Sequence, residues 1–420
     1  MIKEVLTKGN LQKAYKKVYA NKGSAGVDGK TVKDLLKLLQ TNQRFYLKDV
    51  QNGSYQASPI LGIEIPKPNG KTRLLGVPTV VDRLFQQAIQ QVLQPKFEGD
   101  FHDNSYGFRP KRNAHQALKA SLDNINNDYQ HIVDIDLKSF FDNVEHDLIL
   151  TLIYRKVKCK YLMKLIRQFL RAPIQIQGKL YKRRKGVPQG SPLSPLLSNI
   201  LLNELDKELT KRNLRFVRYA DDFSIYVKSN AAAKRVGNGI FKFLKTQLKL
   251  PINRDKSGIR RPLTFEMLGF GFVPTYKKGE RGKYQAIVSK KKWKSFKREL
   301  KALTRKTIPM SFDERIQRLN LCIRGWINYF KPASIIAKLK KLDEWLRNRL
   351  RYCIWHHWKK PERKRKNLIR LGIGKGKAYA WSRTNMGGWA VAQSPILGTT
   401  ITKAVLAKRG YIEMVKYYKK

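Results

Sequence analysis

The sequence predicts an α+β protein in which a body of mixed helices and strands is followed by strongly basic helices. Short β-prone runs bounded by Gly, Pro and Asn alternate with helical patterns as far as about residue 288. Beyond that point, aromatic residues and leucines recur at helical spacing among lysines and arginines. A chain of 420 residues is long enough for two or three domains.

Local patterns predict the individual elements in order. Residues 1–50 are helical with a glycine-rich break, and residues 60–80 form a hairpin whose turn is Asn69-Gly70. Further predicted elements are a helix from Asp82 to Leu93, a strand from His131 to Leu137, a helix from about His146, a helix from Leu193 to Leu209, and basic helical regions around Trp293 to Leu303, Leu319 to Tyr329 and Leu339 to Trp358.

Composition changes divide the chain into four predicted segments. Residues 1–50 form an N-terminal extension, and residues 51–288 form the α+β body. Residues 289–358 form the helical module, and residues 359–420 form a small basic C-terminal module. The boundary before the last segment lies at the charged run 359–366.

The net charge of +56, from 87 Lys and Arg against 31 Asp and Glu, indicates a polyanionic partner such as nucleic acid. A generally basic surface with no specific partner is the alternative. No amphipathic or apolar anchor accompanies the charge, so membrane binding is not expected. The three cysteines are scattered and no signal peptide is apparent, which favours a reducing, cytoplasmic location.

Carboxylates are the candidate catalytic groups. Asp221 and Asp222 lie between two apolar β-prone runs, which is typical of a tight hairpin, although most acidic turns are only turns. Alternation along the strand at 132–137 places Asp134 and Asp136 on one face, where they must be solvated, paired or bound to metal. Asp136 and Asp221 suit a site for two Mg²⁺ ions, with Asp222 as a less direct third acid.

The sequence Tyr219-Ala220-Asp221-Asp222, with the run 136–141 upstream, resembles the reverse transcriptases. Other blocks of that family occur in the expected order, at residues 65–73, 105–110, 188–195 and 268–270. The run Arg324 to Phe330 is similar to the thumb, or domain X, of group II intron maturases. The chain is therefore identified as a member of the group II intron-encoded reverse transcriptases and maturases.

This resemblance implies a right-hand polymerase. Residues 51–288 would form the fingers and a palm with an antiparallel sheet, residues 289–358 an α-helical thumb or domain X, and residues 359–420 a DNA-binding module. The implied activity is RNA-directed DNA polymerisation with two Mg²⁺ ions, for which Mn²⁺ is a possible substitute. The implied partners are an RNA template, a DNA or RNA primer, dNTP, the group II intron RNA and target DNA.

The resemblance also assigns nucleotide-binding residues. Lys67 and Arg73 flank the tip of the fingers hairpin and would contact the triphosphate, although both are equally compatible with solvated charge. Gln189 matches a glutamine near the nucleotide sugar, and Gly190 would permit close backbone approach. The same Pro-Gln-Gly sequence also suits a simple turn before the following helix.

Two further assignments have open alternatives. Phe141 matches an aromatic residue that would exclude a 2′-hydroxyl, with Phe140 in the core, but a different strand register would exchange the two rings. Lys256 resembles a lysine near the triphosphate, where it would act as a general acid or offset charge. A surface lysine with neither role is the alternative.

The sequence leaves two other functions open. One is an RNA-binding splicing factor whose polymerase site is unused, and the other is an intron-free relative recruited to DNA repair or defence. Many members of this family carry a C-terminal HNH endonuclease in which pairs of cysteines hold a metal. The tail after Lys366 contains no cysteine, so we expect no HNH endonuclease and no second-strand cleavage by this chain. Mobility would then need a primer made elsewhere, such as a nascent strand at a replication fork.

Overall fold

The computed structural model describes residues 1–66, 70, 72–276, 279–280 and 282–420. The chain divides into two compact units, Met1–Pro262 and Leu263–Lys420. Helices and mostly antiparallel strands in both units confirm the predicted mixture of α and β structure. The predicted domain limits at residues 50, 288 and 358 stay predictions.

Ten helices occur in the described part of the first unit. They are α1 (Ile2–Val5), α2 (Lys8–Ala20), α3 (Leu35–Asn52), α4 (Val80–Glu98), α5 (Ala114–Asn126), α6 (Phe140–Asn143), α7 (His146–Val157), α8 (Lys160–Arg171), α9 (Ser194–Lys211) and α10 (Asn230–Thr246). Helix α4 begins before the predicted Asp82 because Thr79 caps it, with its hydroxyl accepting from the Asp82 amide at 3.3 Å.

Two four-stranded sheets form in the first unit. Their strands are β1 (Ile60–Pro66), β2 (Thr72–Val77), β3 (His131–Ile135), β4 (Ile174–Ile176), β5 (Lys179–Tyr181), β6 (Arg215–Tyr219), β7 (Asp222–Val227) and β8 (Gly258–Arg260). The orders are β2-β1-β4-β5 and β6-β7-β3-β8. Strands β1 and β4 pair in parallel, whereas the other pairs are antiparallel. The β1–β2 pair confirms the predicted hairpin.

Strand β3 is central in its sheet and buries side chains on both of its faces. Ile132, Val133 and Ile135 are all at most 2% exposed. Alternation along β3 places Ile132 on the same face as Asp134 and Asp136, so this face is apolar at its start and acidic only towards the carboxyl end of the strand. This arrangement places the acidic residues at one end of a rigid, covered sheet.

The second unit contains a three-stranded antiparallel sheet, ordered β11-β10-β9, and nine helices within its described residues. The elements are β9 (Glu266–Met267), β10 (Phe270–Pro274), β11 (Tyr284–Val288), α11 (Lys290–Leu303), α12 (Phe312–Phe330), α13 (Ile336–His357), α14 (Pro361–Arg370), α15 (Lys375–Ser382), α16 (Gly388–Gln393), α17 (Pro395–Gly398), α18 (Lys403–Lys408) and α19 (Met414–Tyr418). A 3₁₀ turn, Pro262–Thr264, lies at the division between the units.

Helices α11, α12 and α13 confirm the three predicted basic helical regions. Their aromatic residues pack against one another, as expected of helix-spaced aromatics. Phe296 is 1% exposed and stacks on Trp326 with ring centroids 4.2 Å apart. The lysines and arginine of α11 are exposed, whereas Arg315 of α12 is buried at 4% exposure.

Candidate active site

Strands β6 and β7 form the acidic hairpin that the sequence predicts. Tyr219 pairs with Asp222, so only Ala220 and Asp221 form the turn. Ala220 has a φ of +58°, a left-handed conformation that costs a non-glycine residue roughly 1–2 kcal/mol. The turn places Asp221, half-buried, at its tip and Asp222 at the exposed start of β7.

A buried ion pair supports this turn. The side chains of Arg218 in β6 and Asp206 in α9 are both 0% exposed. Arg218 Nε donates to Asp206 Oδ1 at 2.8 Å, and Arg218 Nη1 donates to the Ala220 carbonyl at 3.0 Å and to Asn199 Oδ1 at 3.1 Å. Because a buried charge is stable only when paired and hydrogen-bonded, this network fixes the hairpin on α9.

The predicted block at residues 105–110 packs directly against the same turn. The Tyr106 amide donates to the Arg218 carbonyl at 2.9 Å, and Asn199 Nδ2 donates to the Gly107 carbonyl at 2.9 Å. A Cβ atom on Gly107 would lie 2.2 Å from the Ala220 amide nitrogen. Glycine is therefore required at residue 107 by the close approach of two backbones.

Sequence pattern alone does not identify Arg218, Asp206 or Asn199 as parts of the site. One sequence feature indicates that they have partners: Asn199 and Asp206 interrupt the leucine-rich sequence of α9, where a buried polar group without a partner would be costly. Their partner on β6 is a contact between separate elements, and only the folded chain shows it.

The sheet aligns three charged residues in a row. Antiparallel pairing of β3 with β7 ends at Ile135 opposite Phe223, and its continuation by one residue brings Asp136 opposite Asp222. The pairing of β3 with β8 ends at Asp134 opposite Gly258, and the turn that precedes β8 brings Lys256 to the Asp136 side chain. Because neighbouring strands lie about 4.8 Å apart, these three side chains occupy one edge of the sheet.

Contacts of Asp136 confirm part of this row. Lys256 Nζ lies 3.6 Å from Asp136 Oδ2, and Asn253 Nδ2 donates to the same oxygen at 2.8 Å. The Asp136 amide donates to Ser257 Oγ at 3.0 Å, and the Asn253 amide donates to the Asp136 carbonyl at 2.8 Å. The segment before β8 therefore holds the Asp136 side chain and backbone in one orientation.

Negative charge accumulates at this edge. Although Asp222 reaches solvent, the surrounding protein desolvates its carboxyl group, and the charges of Asp221, Asp136 and Asp134 add to that effect, so its pKa is raised to about 6. Desolvation and the charge of Asp136 also raise the pKa of Asp221. The positive charge of Lys256 offsets part of the effect on Asp222.

This donor set suits a divalent cation by its chemistry. Carboxylate oxygens are preferred ligands of Mg²⁺, and an ion would offset the desolvation and the carboxylate repulsion that raise the pKa values of Asp221 and Asp222. Across the residues that the structure describes, however, no three Asp, Glu, His or Cys side chains are arranged closely enough to hold a metal ion as they stand. The Asp136 carboxylate instead accepts from Asn253.

Of the predicted phosphate-binding residues, Arg73 lies close to the acidic edge. It is an exposed residue of β2, paired with Ile65, and its charge lowers the pKa of Asp221 against the upward effect of burial. Lys67 lies outside the described residues. The β1–β2 hairpin therefore brings at least one cation towards the carboxylates.

The predicted loop at residues 188–190 lies against the same hairpin. The Gly76 amide of β2 donates to the Gln189 carbonyl at 2.9 Å. Gly190 has a φ of +121°, and a Cβ there would lie 2.8 Å from the Gly76 carbonyl oxygen. The conformation and the close contact together require glycine at residue 190.

The two adjacent phenylalanines differ in exposure. Phe140 is 2% exposed, whereas Phe141 is only partly buried, and their ring centroids lie 5.3 Å apart. The Phe141 carbonyl accepts from the Val187 amide at 2.7 Å, which joins this residue to the loop that carries Gln189. The role of Phe141 towards a nucleotide stays a prediction.

Two known domain families match this chain. Residues 65–272 match the family described as Reverse transcriptase (RNA-dependent DNA polymerase). Residues 293–372 match the family described as Group II intron, maturase-specific domain. The first match contains the whole acidic edge described above, and the second contains α12 and α13.

Similar proteins have been described in bacteria and yeast. Protein YkfC of Escherichia coli (strain K12) is 33% identical over 272 residues, which cover 56% of this chain and 71% of YkfC. Group II intron-encoded protein LtrA of Lactococcus lactis subsp. cremoris is 37% identical over 216 residues, or 49% of this chain and 34% of LtrA. The putative COX1/OXI3 intron 2 protein of Saccharomyces cerevisiae is 27% identical over 312 residues, or 59% and 36% respectively. The chain thus spans about a third of the latter two proteins.

None of the helices in the described part of the chain combines the length and the apolar character that crossing a bilayer requires.

Proposed function

This chain belongs to the group II intron-encoded reverse transcriptases, and on that premise we propose that it extends a primer on an RNA template with dNTPs. We further propose that it binds its intron RNA as a maturase, assisting splicing and mobility. The first activity rests on the acidic edge of the first unit. The second rests on the match of residues 293–372 to the maturase-specific domain.

The row of Asp222, Asp136 and Lys256, at the ends of the neighbouring strands β7, β3 and β8, is the observation that carries the polymerase proposal. Asp136, Asp221 and Asp222 would hold two Mg²⁺ ions, with Mn²⁺ as a possible substitute. When bound, the metal supplies charge neutralisation at the phosphates and lowers the pKa of the primer 3′-hydroxyl. The supported hairpin keeps Asp221 and Asp222 in place without reorganisation during the reaction.

Basic side chains around the carboxylates suit an incoming triphosphate. Arg73 would contact it from the fingers hairpin together with Lys67. Lys256, which already lies 3.6 Å from Asp136, would offset charge on the pyrophosphate or donate a proton to it. These residues orient the nucleotide, and the carboxylates act at its α-phosphate.

The loop residues suit the sugar of the same nucleotide. Gln189, held against β2 by its carbonyl, would contact the sugar from one side. The partly exposed ring of Phe141 would exclude a 2′-hydroxyl, so that dNTP is selected over rNTP.

The basic second unit would bind nucleic acid mainly through phosphates. Lysines and arginines left exposed between packed aromatics suit duplex backbones and the shape of a folded RNA. The segment 359–420 would contact target DNA. The +56 charge of the chain predicts that this binding weakens steeply as salt is raised.

Primer extension with the Asp221→Ala/Asp222→Ala double variant tests the polymerase proposal. Wild-type protein should make DNA on an RNA template, the double variant should not, and both should bind intron RNA with similar affinity. If wild type and variant are equally inactive while both bind the RNA, the chain is a splicing factor without polymerase activity. If neither binds the RNA, the maturase proposal fails.

A further inference from the structure

A cavity of about 620 Å³ lies wholly within the second unit. Its walls come from α12, α13 and the segment 403–420, and the last of these lies beyond the matched maturase domain. A volume of this size falls in the range of about 300–1,000 Å³ that is typical of small-molecule sites. It is several times larger than a single phosphate group requires.

Buried hydrogen bonds fix the wall formed by the C-terminal segment. Asp343 of α13 is 1% exposed and accepts from Tyr411 Oη at 2.7 Å, from the Met414 amide at 3.0 Å and from the Val415 amide at 3.1 Å. Asn320 of α12 donates to the Gly410 carbonyl at 2.7 Å. These bonds tie the C-terminal wall to both helices, so the cavity is formed without a ligand.

The charge of the cavity favours an anion. Arg324 and Arg347 reach it from α12 and α13, and Lys403 and Lys416 reach it from the C-terminal segment. The acidic residue that also lines it, Glu413, lies 3.9 Å from Lys403. The cavity keeps a net positive charge even when the charges of Glu413 and Lys403 cancel.

An apolar face lies beside these cations. Ala404, Ala407 and Ile412 line the cavity together with the half-buried Tyr417, whose hydroxyl donates to Asn328 Oδ1 at 3.0 Å. The fixed ring and the small alanines leave room for a flat group. A ligand that fits must combine negative charge with a planar apolar surface.

We infer that this cavity binds one unpaired nucleotide of an RNA, with its phosphate at the arginines and its base against the apolar face. The inference rests on the proposed RNA binding of this unit. Paired bases are hidden within a duplex, whereas bulges and loops present a base and its phosphate together. The cavity would thus distinguish folded RNA with an extruded base from a plain duplex.

Two RNAs that share one stem test the inference, one fully paired and one with a single bulged nucleotide. Binding of the full-length protein to each is measured by fluorescence anisotropy at one fixed salt concentration. Wild-type protein should bind the bulged RNA about tenfold more tightly, which lies within the range of base-stacking contributions.

Ala407→Trp fills the cavity without changing its charge and should reduce the ratio of the two affinities to about one. Lys408→Gln, on the same helix but outside the cavity, should lower both affinities equally and keep the ratio. If Ala407→Trp lowers the thermal stability of the protein, Arg347→Gln serves as the test variant instead. It should reduce the ratio of the two affinities by at least about threefold, which is less than the full contribution of a charge-assisted hydrogen bond.

Retention of the wild-type ratio in the folded cavity variant would overturn the inference. So would equal affinity of wild-type protein for the two RNAs, and in that case the proposed RNA binding would still stand. Failure to bind either RNA would also overturn the inference, and binding of the intron RNA would then decide the proposed maturase function separately.

Discussion

Replacing Asp206 with asparagine removes the counter-charge of the fully buried Arg218. Loss of one partner from a buried ion pair costs about 3–5 kcal/mol. Asparagine still offers one acceptor oxygen to the arginine, so we expect the lower end, about 3 kcal/mol. This is a large fraction of the roughly 5–15 kcal/mol that stabilises a typical domain.

The distribution of tryptophan gives a selective assay. All seven tryptophans lie at residue 293 or beyond, in the second unit. Tryptophan fluorescence therefore reports unfolding of the second unit, whereas far-UV circular dichroism reports both units. In urea, Asp206→Asn should lower the midpoint of the first unit by about 1 M and leave the fluorescence midpoint unchanged.

A matched double variant separates charge from packing. Asp206→Leu/Arg218→Met replaces the ion pair by apolar groups of similar volume and should recover most of the lost stability. It also removes the donor to the Ala220 carbonyl, so primer extension should stay low although the protein is folded. A loss below about 1 kcal/mol in Asp206→Asn, close to that of an exposed ion pair, would refute the reasoning, as would full activity of the double variant.

Gly107, Phe141 and Asp82 each give a further expected outcome. Gly107→Ala should displace the acidic hairpin and lower the primer-extension rate about a hundredfold, whereas Gly99→Ala, with no atom within 4 Å of its Cβ, should leave the rate unchanged. Phe141→Ala should raise ATP insertion relative to dATP by about tenfold in single-nucleotide assays, and an unchanged ratio would favour Phe140 in that role. Burial raises the pKa of Asp82 to about 6, so folding favours its protonated form. The stability gained from this protonation is complete below about pH 4 and is lost as the pH rises to about 6. The free energy of unfolding should therefore fall by about 3 kcal/mol over this range. Urea titrations should show this loss in wild type and not in Asp82→Asn, and parallel pH profiles would contradict it.

Much of the first unit follows from local sequence. The Asn-Gly turn predicts the β1–β2 hairpin, and apolar periodicity predicts α7 at its observed start, His146. Two carboxylates between β-prone runs predict the hairpin of Tyr219 to Asp222, and its register is set by the pairing of β6 with β7. These features depend on residues that are close together in the sequence.

Features that join distant segments were not predictable in the same way. The position of Lys256 beside Asp136 depends on the pairing of β3 with β8, two segments more than 120 residues apart in the sequence. The ion pair of Arg218 with Asp206 depends on packing of a strand on α9. The short helices after residue 359 show little apolar periodicity in the sequence. Contacts with distant residues, such as the hydrogen bond from Tyr411 to Asp343, hold them in place, and the sequence does not reveal such contacts.

A comparison of Asp136→Asn with Asp134→Asn tests the central claim most directly. The two aspartates lie two residues apart, but Asp134 bonds to Arg260 at 3.0 Å, whereas Asp136 lies in the row with Asp222. Single-turnover addition of one dNTP to a primer on an RNA template is the measurement. We predict that Asp136→Asn lowers the rate about a thousandfold, equivalent to the several kcal/mol of metal-assisted catalysis, and that Asp134→Asn stays within about tenfold of wild type. Equal rates in the two variants, or a greater loss in Asp134→Asn, would contradict the account.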